Sequence, residues 1–214
     1  MPHIACLHTA DSNVELFDAA LRELEPAGVT LSHIVRADLL VAAEAAGGLT
    51  PTIAEQTAEA LRGVCAGADA VLLTCSTLGP AAEAAAGASP VPILRVDAAL
   101  AHEAVADGGK VVVMCAVETT VEPTRSLFEK AARATGAEIA VQLVPGAWAA
   151  FKAGKRDAYL AAIAHAADQA SRDGADRVVL AQASMAGATA LSAVERRPLT
   201  SPKAGLQAAI QAAS

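Results

Sequence analysis

Short runs of aliphatic and β-branched residues alternate with longer alanine-rich stretches along the whole chain, and this alternation restricts the fold more than any other feature. Strands are expected near Ile4 to Leu7, Leu31 to Val35, Ala70 to Leu73, Ile93 to Val96, Lys110 to Cys115, Glu138 to Leu143 and Arg177 to Leu180. Helices fill the intervals. Thr50-Pro51 opens one of them with a capping hydroxyl and a proline at the first helical position, and Ile53, Ala60, Leu61 and Val64 then fall near one face. Strands separated by helices pair in parallel, which places the chain in the α/β class. Hydrophobic residues make up 54% and aromatics only 2%, so the core must be built from Ala, Val and Leu, the materials of helices packed closely on a sheet.

The 214 residues suffice for two domains of ordinary size, and an internal repeat supports that division. Ile4 to Gly28 resembles Val112 to Gly136, Gly67-Ala68-Asp69 matches Gly174-Ala175-Asp176, and Pro92 to Leu100 can be laid on Pro198 to Leu206. Two similar α/β lobes are expected, residues 1–100 and 101–214, with the C-terminal helix able to cross over to the first. Each would be a parallel sheet flanked by helices. A pseudo-twofold relation would turn their strand ends toward an interlobe cleft, a common setting for small-molecule pockets.

The net charge of −7 and the lack of a Lys/Arg-rich run argue against a nucleic-acid partner. No apolar run reaches the roughly 18 to 20 residues that span a bilayer, and Met1-Pro2-His3-Ile4 carries no basic leader, so no membrane association and a cytoplasmic location are expected. Cys6, Cys65, Cys75 and Cys115 read as reduced thiols. There is no Cys-x-x-Cys and no paired histidine, so no metal site is expected, and without a Gly-x-Gly-x-x-Gly turn or a Gly-Lys-Ser/Thr phosphate loop no nucleotide cofactor is expected.

One thiol stands apart. Cys75 follows the apolar run Val71-Leu72-Leu73 and opens into Ser76-Thr77-Leu78-Gly79-Pro80, beyond the carboxyl end of a strand, where α/β sheets bind ligands. The helix beginning near Gly79-Pro80 is expected to lower its pKa. Cys6, Cys65 and Cys115 lie within strands or an Ala-rich helix and read as packing. In the second half the matching strand, Val178-Val179-Leu180, runs into Ala181-Gln182-Ala183-Ser184. A gap-free register sets Gln182 against Cys75 and Ser184 against Thr77; a two-residue shift would set Ser184 against Cys75.

These features resemble the aspartate/glutamate racemase superfamily, which includes hydantoin racemases, maleate isomerases and arylmalonate decarboxylases. The resemblance rests on the duplicated halves, on Leu73-Thr74-Cys75-Ser76-Thr77-Leu78-Gly79, on the Thr119-Thr120 pair, and on the Gly-Ala-Asp, strand and loop of residues 174–188. It implies a cofactor-independent enzyme acting on a small carboxylate, in which a cysteine from each lobe flanks the carbon alpha to the carboxylate. Cys75 matches the first cysteine, whereas Gln182, or Ser184, takes the place of the second. A proton carrier works best with a pKa near working pH, and neither a carboxamide nor an unactivated serine meets that need. Racemisation with two bases is therefore in doubt; one-face protonation, as in a decarboxylase, or thiolate addition, as in a cis-trans isomerase, stays open, as does a carboxylate-binding protein without turnover.

Under this resemblance Thr119 and Thr120 would hold the carboxylate at a helix start, with His8 and Thr9 as their first-lobe counterparts. Ser76 and Thr77 would cradle an enolate-like intermediate beside Cys75. Gln182 and Ser184 would hydrogen-bond substrate without moving protons. Asp97 and His102 could orient a catalytic group, and Ser201-Pro202-Lys203 with Gly205 would shape the site or the last helix. A homo-oligomer is compatible with this reading, and the sequence sets no order for it.

Overall fold

The structure, a computed structural model, describes all residues from 1 to 214. The first half runs β1 (His3–His8), α1 (Ser12–Leu24), β2 (Thr30–Val35), α2 (Ala37–Ala46), α3 (Pro51–Gly63), β3 (Ala70–Leu73), α4 (Gly79–Ala86), β4 (Ile93–Arg95) and α5 (Asp97–Val105). The second runs β5 (Lys110–Cys115), α6 (Glu118–Ala132), β6 (Glu138–Leu143), α7 (Ala147–Lys152), α8 (Arg156–Arg172), β7 (Arg177–Leu180), a 3-10 stretch at Ala183–Leu191, β8 (Leu199–Thr200) and α9 (Ser201–Ala212). All seven expected strands are present with ends within one residue of expectation. The eighth, β8, was not expected; two residues carry no readable periodicity, and only the partner strand β7 defines it.

The strands form two four-stranded sheets, ordered β2-β1-β3-β4 and β6-β5-β7-β8. Every pairing is parallel. Two compact units result: Met1–Ala99 with Pro202–Ser214, and Leu100–Ser201. The helix after each sheet's fourth strand belongs largely to the other unit, α5 to the second and α9 to the first. Gly205 in α9 is required by packing, since a Cβ there would lie 2.7 Å from the Val96 carbonyl oxygen.

The two sheets repeat each other in register. Ile4 pairs with Ala70 and Leu7 with Leu73, while Val111 pairs with Arg177 and Met114 with Leu180, a constant offset of 107 from Ile4 to Val111 and from Ala70 to Arg177. Side-chain hydrogen bonds repeat it too. The Asp69 carboxylate accepts the His3 N–H at 2.8 Å, and the Asp176 carboxylate accepts the Lys110 N–H at 2.7 Å. Gly109 has no room for a side chain, because its Cβ would stand 2.6 Å from the Asp176 oxygen.

Alternation along β5 sorts its side chains between two apolar layers, as the strand period of two requires. Val112 and Met114 pack with Tyr159, Leu160, Ile163 and Ala167 of α8; Val111, Val113 and Cys115 pack with Phe128 of α6 and with Leu100, Ala101 and Ala104 of α5. Helices built from Ala and Leu can lie close on such a sheet. The N-cap of α3 forms as expected, with the Thr50 hydroxyl accepting the Ile53 N–H at 3.3 Å ahead of Pro51.

Candidate active site

Cys75 lies two residues past β3, in the loop that leads into α4, with 7% of its surface exposed. Leu78 precedes the first helical residue, and Gly79 and Pro80 begin the turn. Three donors converge on the sulfur: the Thr9 hydroxyl, the Leu78 N–H and the Thr77 N–H. Burial raises the thiol pKa above its ordinary 9.0, the negative charge of Asp97 adds to the rise, and the three donors oppose it. The helix start therefore does not produce the lowered pKa expected from sequence. Desolvation outweighs it, and Cys75 rests as a neutral thiol.

Asp97, completely buried at the start of α5, belongs to an ion-pair cluster beside this loop. Arg95 grips it with two hydrogen bonds, Nε to Oδ1 at 2.7 Å and Nη2 to Oδ2 at 3.1 Å, and reaches Glu83 of α4 at 2.8 Å through Nη1. Gly79 leaves space for that guanidinium, since a Cβ would come within 2.5 Å of it. Sequence reasoning passed over Arg95. Its signal was the Arg-x-Asp spacing at a strand end, which puts both side chains on one side of the sheet edge. His102 does not join them: it is exposed on α5.

The 107 offset carries Cys75 onto Gln182, which supports the gap-free register over the shifted one. Gln182 Oε1 accepts the N–H of Ala116 at 2.6 Å and of Val117 at 3.1 Å, so the carboxamide is tied to the backbone that leaves β5. The same offset matches Ala116 to Thr9. In the first sheet a hydroxyl meets a sulfur at this place; in the second, a backbone amide meets a carboxamide oxygen. Ser184 is held by the Tyr159 hydroxyl at 2.8 Å. Burial pushes the Tyr159 pKa up to about 12, so Tyr159 keeps its proton and supplies no base to activate Ser184.

Thr119 and Thr120 sit in the first turn of α6, Thr120 buried and Thr119 half-buried. Ser76 and Thr77 are buried beside Cys75. Thr9 also faces the sulfur. His8 does not join them. It is fully buried, with Nδ1 at 2.7 Å from the Thr74 hydroxyl and Nε2 at 2.8 Å from His33 Nδ1, so both ring nitrogens are engaged within the first unit. Burial and the neighbouring His33 push its pKa down to about 4. Nor are His8 and Thr9 the counterparts of Thr119 and Thr120; the register matches them to Cys115 and Ala116.

Two parallel sheets of one topology, with a donor-ringed thiol beyond the third strand of the first, define a duplicated α/β protein. The chain belongs to the Asp/Glu/hydantoin racemase family, whose model matches residues 9–212. Among solved structures, it is similar to Picrophilus torridus aspartate racemase, with a TM-score of 0.74 at 13% identity, covering 100% of this chain and 94% of that one. It is also similar to allantoin racemase from Pseudomonas fluorescens, with a TM-score of 0.63 at 18% identity over 99% of this chain and 90% of that one. An unliganded arylmalonate decarboxylase matches with a TM-score of 0.54 at 12% identity over 100% and 93%. None of the curated proteins matches the chain. No helix is long and apolar enough to cross a membrane.

Proposed function

We propose that this chain is a cofactor-independent enzyme that transfers a proton at the carbon alpha to the carboxylate of a small acid, with Cys75 as its single proton carrier. The observation that carries this reading is the ring of Thr9, Thr77 and Leu78 donors around a buried, neutral thiol. A neutral thiol is a proton donor. When it protonates a carbanion, the carbon lone pair takes the hydrogen and the sulfur keeps the bonding electrons. The three donors are already aimed at the resulting thiolate, so little reorganisation is needed as charge develops there. Ser76 and Thr77, buried beside the thiol, hold the carboxylate in this scheme.

A single carrier serves one face. The carbanion can arise by removal of the alpha proton or by loss of carbon dioxide from an activated malonate-like acid, and the protonated resting thiol favours the second origin. Thiolate addition to a double bond, the isomerase alternative, requires a sulfur ionised at rest, which burial opposes.

The test is incubation with amino acids, arylmalonates and maleate in deuterated water, read by NMR and chiral analysis. Deuterium should enter one face without loss of stereochemical purity, and Cys75→Ser should slow incorporation by about 10²- to 10⁴-fold. Racemisation keeping pace with exchange, or exchange indifferent to Cys75→Ser, would refute the single-carrier scheme. No turnover of any compound, with ligand binding retained, would instead favour a carboxylate-binding protein. A direct probe of the thiol is its alkylation by iodoacetamide in the substrate-free protein, which should be slow at neutral pH and accelerate only above pH 9.0. Fast alkylation near pH 7 would contradict the neutral resting state.

A further inference from the structure

Beneath the same loops, the first unit holds a second group of reactive side chains that the proton-transfer scheme does not use. Cys6 and His8 alternate on β1 and so share a face, and the register places His33 of β2 directly beside Cys6. The spacing argument against a metal site fails here, because strand pairing joins residues that lie far apart in sequence. Each of the three offers one ligand atom, and these atoms all lie within 4.8 Å of one another. Cys6 and His8 are completely buried, and the side chain of His33 is 14% exposed.

We propose that Cys6, His8 and His33 form a binding site for a zinc-like divalent cation, oriented by Thr74 and Asp18. His8 Nδ1 is held by the Thr74 hydroxyl at 2.7 Å and His33 Nε2 by the Asp18 carboxylate at 3.1 Å. These outer partners leave His8 Nε2 and His33 Nδ1 facing each other, 2.8 Å apart. Metal-ligating histidines characteristically donate their outer N–H to a carboxylate or another oxygen in this way. Two nitrogens each about 2.0–2.1 Å from a tetrahedral ion stand roughly 3.3 Å apart, so the histidines, now nearly end to end, must separate by about half an ångström and tilt until both lone pairs converge on the ion.

Protons and charge both balance. In the metal-free state His8 Nε2–H donates to His33 Nδ1 and the Thr74 hydroxyl donates to His8 Nδ1, a tautomer assigned from the hydrogen-bond chain. On binding, the His8 proton moves to Nδ1 and is donated to the Thr74 oxygen, while the Thr74 hydroxyl turns to the Leu7 carbonyl, already 3.2 Å away. Cys6 alone releases a proton to solvent, and its sulfur lone pair binds the cation. One thiolate and the Asp18 carboxylate then neutralise a double positive charge. Three protein donors are the number used by zinc sites that keep one position for water.

The second sheet is the control. At the 107 offset Cys6 and His8 become Val113 and Cys115, and the residue paired with Val113 is Val141 where Cys6 has His33. That face is filled by an apolar cluster around Phe128. The fold packs there without imidazoles, so burying two of them in the first unit calls for a reason beyond packing.

Titration of the metal-stripped full-length protein with Co2+ tests the site. One equivalent should produce sulfur-to-cobalt charge transfer in the near ultraviolet and tetrahedral d–d bands in the visible, and Zn2+ should bleach both. Cys6→Ser should remove the charge-transfer band, His33→Gln should weaken binding and the d–d bands, and Asp18→Asn, at a half-exposed position, should weaken binding about 10- to 100-fold. Cys75→Ser should leave the spectrum intact. Circular dichroism verifies that each variant is folded; if Cys6→Ser fails that check, His33→Gln and Asp18→Asn carry the test. A wild-type protein without these bands, or bands that survive Cys6→Ser and His33→Gln or vanish in Cys75→Ser, would overturn the proposal.

Discussion

The two sheets share strand order, register and the aspartate that caps the start of the central strand, yet they end their third strands differently. The first presents a thiol ringed by a hydroxyl and two N–H groups. The second presents a carboxamide whose oxygen is consumed by the Ala116 and Val117 amides. The lesson is a division of labour within a duplicated frame. Backbone pairing and capping preserve the scaffold, and the residue just past the strand end is free to carry chemistry or to close the loop. A carboxamide has no proton to exchange near neutral pH, so duplication of the frame does not imply duplication of a titratable group at the strand end.

Exchanging the two residues should expose the asymmetry most strongly. Cys75→Ser is expected to slow deuterium incorporation by about 10²- to 10⁴-fold, the usual weight of a general acid. Gln182→Ala, which loosens backbone but removes no proton carrier, should slow it less than about tenfold. Equal effects would erase the distinction between the sheets.

The next largest contrast lies at the fourth strands, where Arg95 pairs with Leu73 in β3 while Thr200 pairs with Leu180 in β7. Arg95→Ala would strand the buried Asp97 carboxylate and should lower unfolding free energy by about 3–5 kcal/mol. Thr200→Ala should change it by less than about 1 kcal/mol. Chemical denaturation of both variants decides the matter, and a mild effect of Arg95→Ala would mean that Asp97 finds another partner or a proton.

The capping aspartates test likeness instead of difference. Asp69→Ala and Asp176→Ala should each cost about 1 kcal/mol, and by similar amounts, because each removes one carboxylate from one strand-starting N–H. Markedly unequal melting shifts would show that the repeat is geometric only.

The smallest effect concerns the second unit in acid. Burial tends to raise the Asp168 pKa, but the Ser192 hydroxyl and the Ala193 N–H outweigh it and hold the group below its ordinary 3.8. Its stabilisation is therefore present above the ordinary carboxylate range and is lost as pH falls through the lower folded-state value. Asp168→Asn should flatten that acid loss in a thermal melt series. An unchanged acid limb would indicate that other carboxylates govern it.

Much of the fold was legible because the signals are local. Seven strands announce themselves as aliphatic runs, Thr50-Pro51 announces a helix start, and Gly-Ala-Asp recurs ahead of both third strands. The location of Cys75 was legible for the same reason, since a strand end followed by small hydroxyl residues can be read one residue at a time. β8 escaped because two residues carry no period. Arg95, the tie of Gln182 to the β5 loop and the Cys6–His8–His33 group escaped because each depends on neighbours distant in sequence.

What the sequence by itself determined was the order of elements, the duplication and the place of one thiol in the loop past a strand end, all of which follow from backbone propensity and side-chain period. Only the tertiary structure decided the state of that thiol, because its pKa depends on how completely the packed lobe strips water from the sulfur, and helix position alone pointed the other way. The hydrogen bonds of His8 to Thr74 and His33 were decided there as well. Register between parallel strands is a relation between segments, and no single segment encodes it.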